Sequence, residues 1–128
     1  METATIKILL ADDDESDRLL FKDAFIELKI KTIVHTVNNG TQLMDYLVKN
    51  DAALPQLIFL DLNMPVMDGF GFLAEYEKLD DTIRKFCKVI VLSSSISPED
   101  INRASTNPHV VKYVNKPLNE KYLDAINF

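Results

Sequence analysis

The sequence contains a single cysteine, Cys87, so the chain cannot form an internal disulfide bond. Because Cys87 stands before an apolar run, we expect it to be a buried free thiol. With two histidines and one cysteine, the chain offers no Cys/His cluster of the kind that binds zinc. No apolar run approaches the roughly 20 residues of a membrane span, and the N-terminus has no basic segment followed by an apolar one. These absences predict a cytoplasmic protein without membrane insertion.

Basic residues are also scarce relative to acidic ones. The chain has 14 Lys and Arg against 20 Asp and Glu, a net charge of −6. An acidic surface argues against direct binding to nucleic acid. A length of 128 residues, 47% of them hydrophobic and 27% charged, is typical of one globular domain with a packed core. We find no repeat or linker, so residues 1–128 are expected to form a single domain without an output domain.

Five short apolar runs predict five β-strands. Four of them are nearly continuous rather than alternating, which is typical of parallel strands covered on both faces. The second run is more mixed, since it contains His35 and Thr36, and is expected near an edge of the sheet. The runs are Ile6–Ala11, Thr32–Val37, Leu57–Leu60, Val89–Leu92 and Val110–Val114.

Helical patterns lie between and after these runs. Three segments place apolar residues at helical spacing, a fourth helix is expected to begin at Ser97-Pro98, and Asn119 can cap a fifth. Strand and helix therefore alternate, which predicts an α/β fold with right-handed crossovers. The three apolar stripes are Phe21, Ala24, Phe25 and Leu28; Leu43, Tyr46 and Leu47; and Phe72, Leu73, Tyr76 and Leu79. The fifth helix would carry Tyr122, Leu123 and Ile126.

Chemically distinctive side chains follow several of the predicted strands. Asp12 to Asp14 follow the first strand, Asp61 the third, Ser93 to Ser95 the fourth and Lys116 the fifth. Because parallel strands end at one edge of a sheet, these residues are expected to share one rim. Clustered carboxylates repel each other, so a cation or an ammonium group must neutralise them. Oxygen ligands suit Mg²⁺. Asp14 is better explained as a helix cap or a surface acid than as a ligand.

Four segments, in order and with matching spacing, resemble the receiver domain of bacterial two-component response regulators, the CheY-like family. They are Ile8–Asp14, Leu60–Gly69, Val91–Ser95 and Tyr113–Pro117. The resemblance covers essentially the whole chain. It implies a flavodoxin-like, doubly wound (βα)5 fold whose five-stranded parallel sheet has the order 2-1-3-4-5.

The resemblance also implies roles for the acidic residues. Asp61 would be the phosphoacceptor, a carboxylate nucleophile that forms an acyl phosphate. Asp13, Asp61 and the backbone carbonyl of Asn63 would bind Mg²⁺, or alternatively Mn²⁺, and Asp12 would hold the metal through water. Asn63 and Ser95 would flank the path of the hydrolytic water and so influence the phosphoryl lifetime.

Further residues would bind the phosphoryl group and report its presence. Ser93 and Lys116 would contact phosphoryl oxygens. On phosphorylation Ser93 would move toward the phosphoryl group and Tyr113 would then turn inward, so that these two residues form the switch. The Lys116–Pro117 bond is expected to be cis. The responding face would comprise the helix that begins near Ser97, the fifth strand and the final helix. The implied partners are a histidine kinase or histidine phosphotransfer protein and an unknown downstream protein, with the chain a monomer or a phosphorylation-dependent dimer.

Two positions depart from common family forms, and three other protein classes fit the sequence less well. Ser93 stands where threonine is frequent, and Thr106–His109 replaces a frequent Gly-Ala turn. An Mg²⁺-dependent phosphatase with an aspartyl nucleophile is the main alternative, but it would need a second acid where Asn63 stands. A flavin-binding module lacks its phosphate loop here, and a calcium loop would need alternating acids and a glycine. The chain is therefore expected to be a signalling domain and not an enzyme.

Overall fold

The computed structural model describes residues 5–27, 31–49, 53–95 and 97–116. Strands and helices alternate along this part of the chain, except that two helices follow one another between the third and fourth strands. The strands are β1 Ile6–Ala11, β2 Thr32–Val37, β3 Leu57–Leu60, β4 Lys88–Ser93 and β5 Val110–Asn115. The helices are α1 Glu15–Glu27, α2 Gly40–Lys49, α3 Gly69–Tyr76, α4 Asp81–Phe86 and α5 Pro98–Ser105. None of these helices combines the length and apolar character needed to cross a membrane.

All five strands pair in parallel, in the order β2-β1-β3-β4-β5. This confirms both the predicted fold class and the predicted strand order. The central strands are the continuous apolar runs, and every residue of β3 is buried. The mixed run forms β2 at one edge, where Ile33 is half exposed. An edge strand has only one neighbour, so it has less apolar surface to bury.

The side chains of each strand point alternately to the two faces of the sheet and build two separate cores. Leu9, Ile58 and Val91 belong to the core beneath α2, α3, α4 and α5. Leu10, Phe59 and Ile90 belong to the core beneath α1, where Phe21 and Phe25 pack edge-on against Phe59. Both faces of the sheet are therefore covered, as a doubly wound fold requires.

The described helices match the predicted apolar stripes except at Leu79, and one helix was not predicted. Leu79 was expected in the third helix, but α3 ends at Tyr76 and Leu79 packs against the core from the following turn. Ser97 caps α5 as predicted, since its side chain accepts a hydrogen bond from the Asp100 N–H. The six-residue helix α4 was not predicted, because Ile83 is its single buried residue and one residue shows no periodicity. The predicted final helix, with its cap Asn119, lies outside the described residues, as does Leu28 of the first stripe.

The prediction that Cys87 is a buried free thiol is confirmed. It lies between α4 and β4 and is 5% exposed, and this burial raises its pKa to about 12. We expect the native protein to react with a thiol reagent at pH 8 roughly a thousandfold more slowly than unfolded chain, because the thiolate is the reactive form. Absorbance after addition of Ellman's reagent, with and without denaturant, measures this. Reaction of native protein at the rate of a free thiol would contradict it.

Candidate functional site

The carboxyl ends of the strands bring the chemically distinctive side chains to one edge of the sheet, as predicted. Asp12 directly follows β1, Asp61 directly follows β3, and Lys116 directly follows β5. Ser93 is the last residue of β4. Asp12, Asp61 and Ser93 are the three polar residues buried among the described positions. Burial of two carboxylates is costly unless they are paired with a cation, so their partners define the site.

The partner of these carboxylates is Lys116. Its Nζ donates to Asp12 Oδ2 at 2.7 Å, to Asp17 Oδ2 at 2.8 Å and to Asp61 Oδ2 at 3.1 Å. The lysine side chain is 10% exposed, and the Asp12 and Asp61 side chains are less exposed still. An ammonium has three N–H donors, so these three carboxylates use all of them. One positive charge is thus shared among three carboxylates, so the site keeps an excess of negative charge.

Burial and the neighbouring groups shift the pKa values of Asp61 and Lys116. Burial raises the pKa of Asp61, and the neighbouring Lys116 charge and the Asn63 N–H offset only part of that effect. Burial by itself would lower the pKa of Lys116, but its hydrogen bonds to Asp12 and Asp17 outweigh this and hold the pKa above its ordinary value. Lys116 therefore stays protonated at neutral pH and remains a fixed positive charge beside Asp61.

The donor set at this edge fits a divalent metal ion. Asp12, Asp13 and Asp61 each offer a carboxylate oxygen, and these oxygens all lie within 4.8 Å of one another. Asp13 is exposed whereas the other two are buried, so a bound ion would retain access to water. Carboxylate oxygens with retained water suit Mg²⁺ or Mn²⁺ rather than a soft metal. The Asn63 N–H donates to Asp61 Oδ1 at 3.2 Å, which holds the Asn63 backbone at the site.

The loop after Asp61 is closely packed against the site. Gly69 begins α3, and a Cβ at this position would lie 2.7 Å from the Asp61 carbonyl oxygen. The Gly69 N–H donates to Leu62 O at 3.1 Å, and the preceding Asp68 caps the helix. Within the loop, Val66 adopts a φ of 67°, a left-handed conformation that is rare for a β-branched residue. These close main-chain contacts thus fix the position of Asp61 at the end of β3.

Ser93 and Tyr113 meet at the backbone of Ser95. The Ser95 N–H donates to Ser93 Oγ at 3.1 Å, and Tyr113 Oη donates to Ser95 O at 3.0 Å. The Ser95 hydroxyl instead pairs with Asp100 in the first turn of α5, at 3.0 Å. The loop between β4 and α5 therefore links the buried Ser93 to Tyr113 on β5. The phosphoryl-related roles of all three residues stay predictions.

Two contact residues at this edge were missed by the sequence analysis. Asp17 in α1 holds Lys116, and Arg18 Nη1 donates to the Asp12 carbonyl at 2.8 Å and to Asn38 Oδ1 at 3.1 Å. Their position in the first helical turn after an acidic strand end was the available signal. The expected cap role of Asp14 is confirmed, because its side chain accepts from the Asp17 N–H. Pro117 lies outside the described residues, and its cis bond stays a prediction.

Comparison with known proteins gives a consistent result. A family model described as Response regulator receiver domain matches residues 8–127. Response regulator Rcp1 of Synechocystis is 35% identical over 123 residues, covering 91% of this chain and 80% of Rcp1. The sensor histidine kinase CheAY of Helicobacter pylori is 29% identical, but this chain spans 14% of its length.

Solved structures show the same fold. A two-component response regulator from Cytophaga hutchinsonii superposes with a TM-score of 0.87 at 26% identity, covering 97% of this chain and 94% of that one. The Mn²⁺-bound form of response regulator Rcp1 superposes with a TM-score of 0.74 at 30% identity, covering 92% and 86% of the two chains. Fold, site residues and sequence similarity thus point to one family.

Proposed function

Because this chain belongs to the response regulator receiver family, whose members are phosphoacceptor signalling domains, we propose that Asp61 accepts a phosphoryl group and that its phosphorylation switches the protein between two states. The observation that carries this proposal is the environment of Asp61. Its carboxylate is buried at a strand end, 3.1 Å from Lys116 Nζ and beside the carboxylates of Asp12 and Asp13.

The chemistry is a transfer between a nitrogen and an oxygen. A carboxylate oxygen of Asp61 attacks the phosphorus of a phosphohistidine on a histidine kinase or histidine phosphotransfer protein. The new P–O bond forms, the P–N bond breaks, and the imidazole leaves with the electron pair. Lys116 stays protonated and donates to an oxygen of the phosphoryl group, which offsets its added negative charge.

Asp13, Asp61 and the carbonyl of Asn63 would hold one Mg²⁺ ion directly, and Asp12 would hold it through water. When bound, the ion supplies further positive charge for the phosphoryl oxygens. The Mn²⁺ named for the Rcp1 structure supports a divalent metal at this position, and Mn²⁺ is proposed as a substitute. Asp13 differs from the other two acids in having no hydrogen bond to Lys116, so it is free to turn toward the ion.

The switch passes through Ser93, Ser95 and Tyr113. Ser93 Oγ accepts the Ser95 N–H, which leaves the hydroxyl hydrogen available to donate to a phosphoryl oxygen. A shift of Ser93 toward Asp61 moves the peptide that Tyr113 Oη holds, and so changes the surface formed by α5 and β5. This surface, together with the predicted final helix, contacts the downstream protein. Asn63 and Ser95 influence how long the phosphoryl group persists.

The chain acts as a signalling domain in the cytoplasm rather than as a phosphatase that turns over a substrate. Asn63 stands two residues after Asp61, where a phosphatase would carry a second acid. Residues 1–128 act as a single receiver domain that controls a partner protein or passes the phosphoryl group onward. Its remaining chemistry is self-phosphorylation from small donors and self-dephosphorylation.

Intact mass after incubation with acetyl phosphate and Mg²⁺ tests this proposal. The wild-type chain is expected to gain one phosphoryl group, whereas Asp61→Asn gains none because an amide oxygen is a poor nucleophile. Asp45→Asn, which removes an exposed acid from α2, serves as the matched control and is expected to react like wild type. Labelling of Asp61→Asn to the wild-type extent would contradict the assignment of the phosphoacceptor. Loss of labelling on addition of a chelator is the expected result for a metal-dependent reaction.

A further inference from the structure

Asp17 is the one member of the Lys116 cluster that no role described so far explains. It lies in the first turn of α1, 99 residues before Lys116 in the chain, and its Oδ2 accepts from Lys116 Nζ at 2.8 Å. Acids in the first turn of a helix are common, because the helix dipole favours them. The helix dipole does not explain why Asp17 also contacts a lysine whose side chain is only 10% exposed.

The three hydrogen bonds of Lys116 are unequal. The two shorter ones, at 2.7 and 2.8 Å, go to Asp12 and Asp17, and the longest, at 3.1 Å, goes to Asp61. Two donors of the ammonium are therefore held by residues that are not phosphorylated. The third donor faces Asp61, where the phosphoryl group would be attached.

We propose that Asp17 is a positioning residue, which together with Asp12 orients the Lys116 ammonium so that its remaining N–H faces the phosphoryl group on Asp61. This inference rests on the proposed function of Asp61. Lysine has a flexible four-carbon side chain and no preferred direction at its ammonium, so one fixed acceptor would leave Nζ free to rotate about that contact. Two fixed acceptors on different segments, the end of β1 and the start of α1, define its direction.

The backbone of Asp17 is itself well fixed. Its N–H donates to the Asp14 cap at 3.0 Å, and the next residue, Arg18, binds the Asp12 carbonyl at 2.8 Å. The start of α1 is thus tied to the loop that carries Asp12. The main chain therefore holds the backbones of Asp12 and Asp17 at a fixed separation, which favours two defined acceptor positions for Lys116.

The test compares Asp17→Ala with Asp17→Asn in the reaction with acetyl phosphate and Mg²⁺. Alanine removes the acceptor, and we expect the phosphorylation rate to fall roughly tenfold because the ammonium loses its orientation. Asparagine keeps an acceptor oxygen without the charge, so we expect a rate within about twofold of wild type. If Asp17 acted only through its negative charge, both variants would react faster than wild type. Asp23→Ala, an exposed acid in the same helix, controls for loss of charge and should react like wild type.

A second readout follows the ammonium itself in metal-free protein. The protons on Lys116 Nζ are expected to exchange slowly with water in wild type and in Asp17→Asn, which gives a resolved ¹⁵N signal. In Asp17→Ala they should exchange as fast as those of solvent-exposed lysines, and the signal should broaden. A wild-type chain that gains no phosphoryl group where another receiver does would overturn the proposed function, and this inference with it. A phosphorylated wild type beside an Asp17→Ala variant that matches it in rate and in Nζ protection would overturn only the role of Asp17.

Discussion

Replacing Lys116 by methionine is expected to lower the free energy of unfolding by about 3 kcal/mol in metal-free buffer, because it removes the cation from a buried ion cluster. Methionine has a similar length and is apolar, so it can still fill the space of the lysine stem. The carboxylates of Asp12 and Asp61 would then be buried without a positive partner, and their repulsion would favour the unfolded chain.

Urea unfolding at low ionic strength with chelator present measures this effect. Lys112→Met is the matched control, since Lys112 lies on β5, which Lys116 directly follows, and forms no ion pair within the described ranges. Added Mg²⁺ should stabilise Lys116→Met more than wild type, because the ion then replaces the missing positive charge. Equal unfolding midpoints for Lys116→Met and Lys112→Met would show that Lys116 does not stabilise the cluster.

Gly69→Ala is expected to cost about 1–3 kcal/mol of stability and to slow phosphorylation of Asp61. The added Cβ would lie 2.7 Å from the Asp61 carbonyl oxygen and 2.9 Å from the Leu62 Cα, and both are main-chain atoms. Main chain cannot rotate away as a side-chain end can, so the loop after β3 must shift. That shift moves the phosphoacceptor relative to Lys116.

Gly71→Ala makes the same chemical change two residues later in the same helix. Its Cβ would approach the Met67 side chain at 3.0 Å, which can move, and alanine favours a helix more than glycine does. We therefore expect this control to be neutral or stabilising and to leave phosphorylation unchanged. Thermal melting and the rate of mass gain from acetyl phosphate measure both variants. Gly69→Ala with wild-type values in both would show that the loop adapts without cost.

The strands were the most predictable part of the fold. β1, β2 and β3 begin and end at the predicted residues, whereas β4 is one residue longer at each end and β5 is one residue longer at its end. Strands at the centre of the sheet are buried on both faces and therefore appear in the sequence as apolar runs. The position of Asp61 follows from the same reasoning, since a charge directly after a buried strand stands at the sheet edge. Helix α4 was not predictable, because its one buried residue, Ile83, produces no pattern.

The sequence predicted which residues form the site better than it predicted the hydrogen bonds among them. Asp12, Asp61 and Lys116 were expected at one rim. The hydrogen bond from Lys116 to Asp17 was not expected, because it depends on how closely the start of α1 approaches the lysine. Likewise, the hydrogen bond between the Ser95 hydroxyl and Asp100 at the start of α5 has no signal in the sequence. Strand order determines which elements meet, but side-chain rotamers decide which atoms bind each other.

The burial of Cys87 has a practical consequence for observing the switch. The chain carries one thiol, and the fold closes it to reagents. A cysteine introduced at the exposed position Asn102 of α5 would then be the only group that a maleimide dye labels in the native protein. Fluorescence from that dye would follow α5 during phosphorylation while the natural cysteine stays in place and the core stays intact.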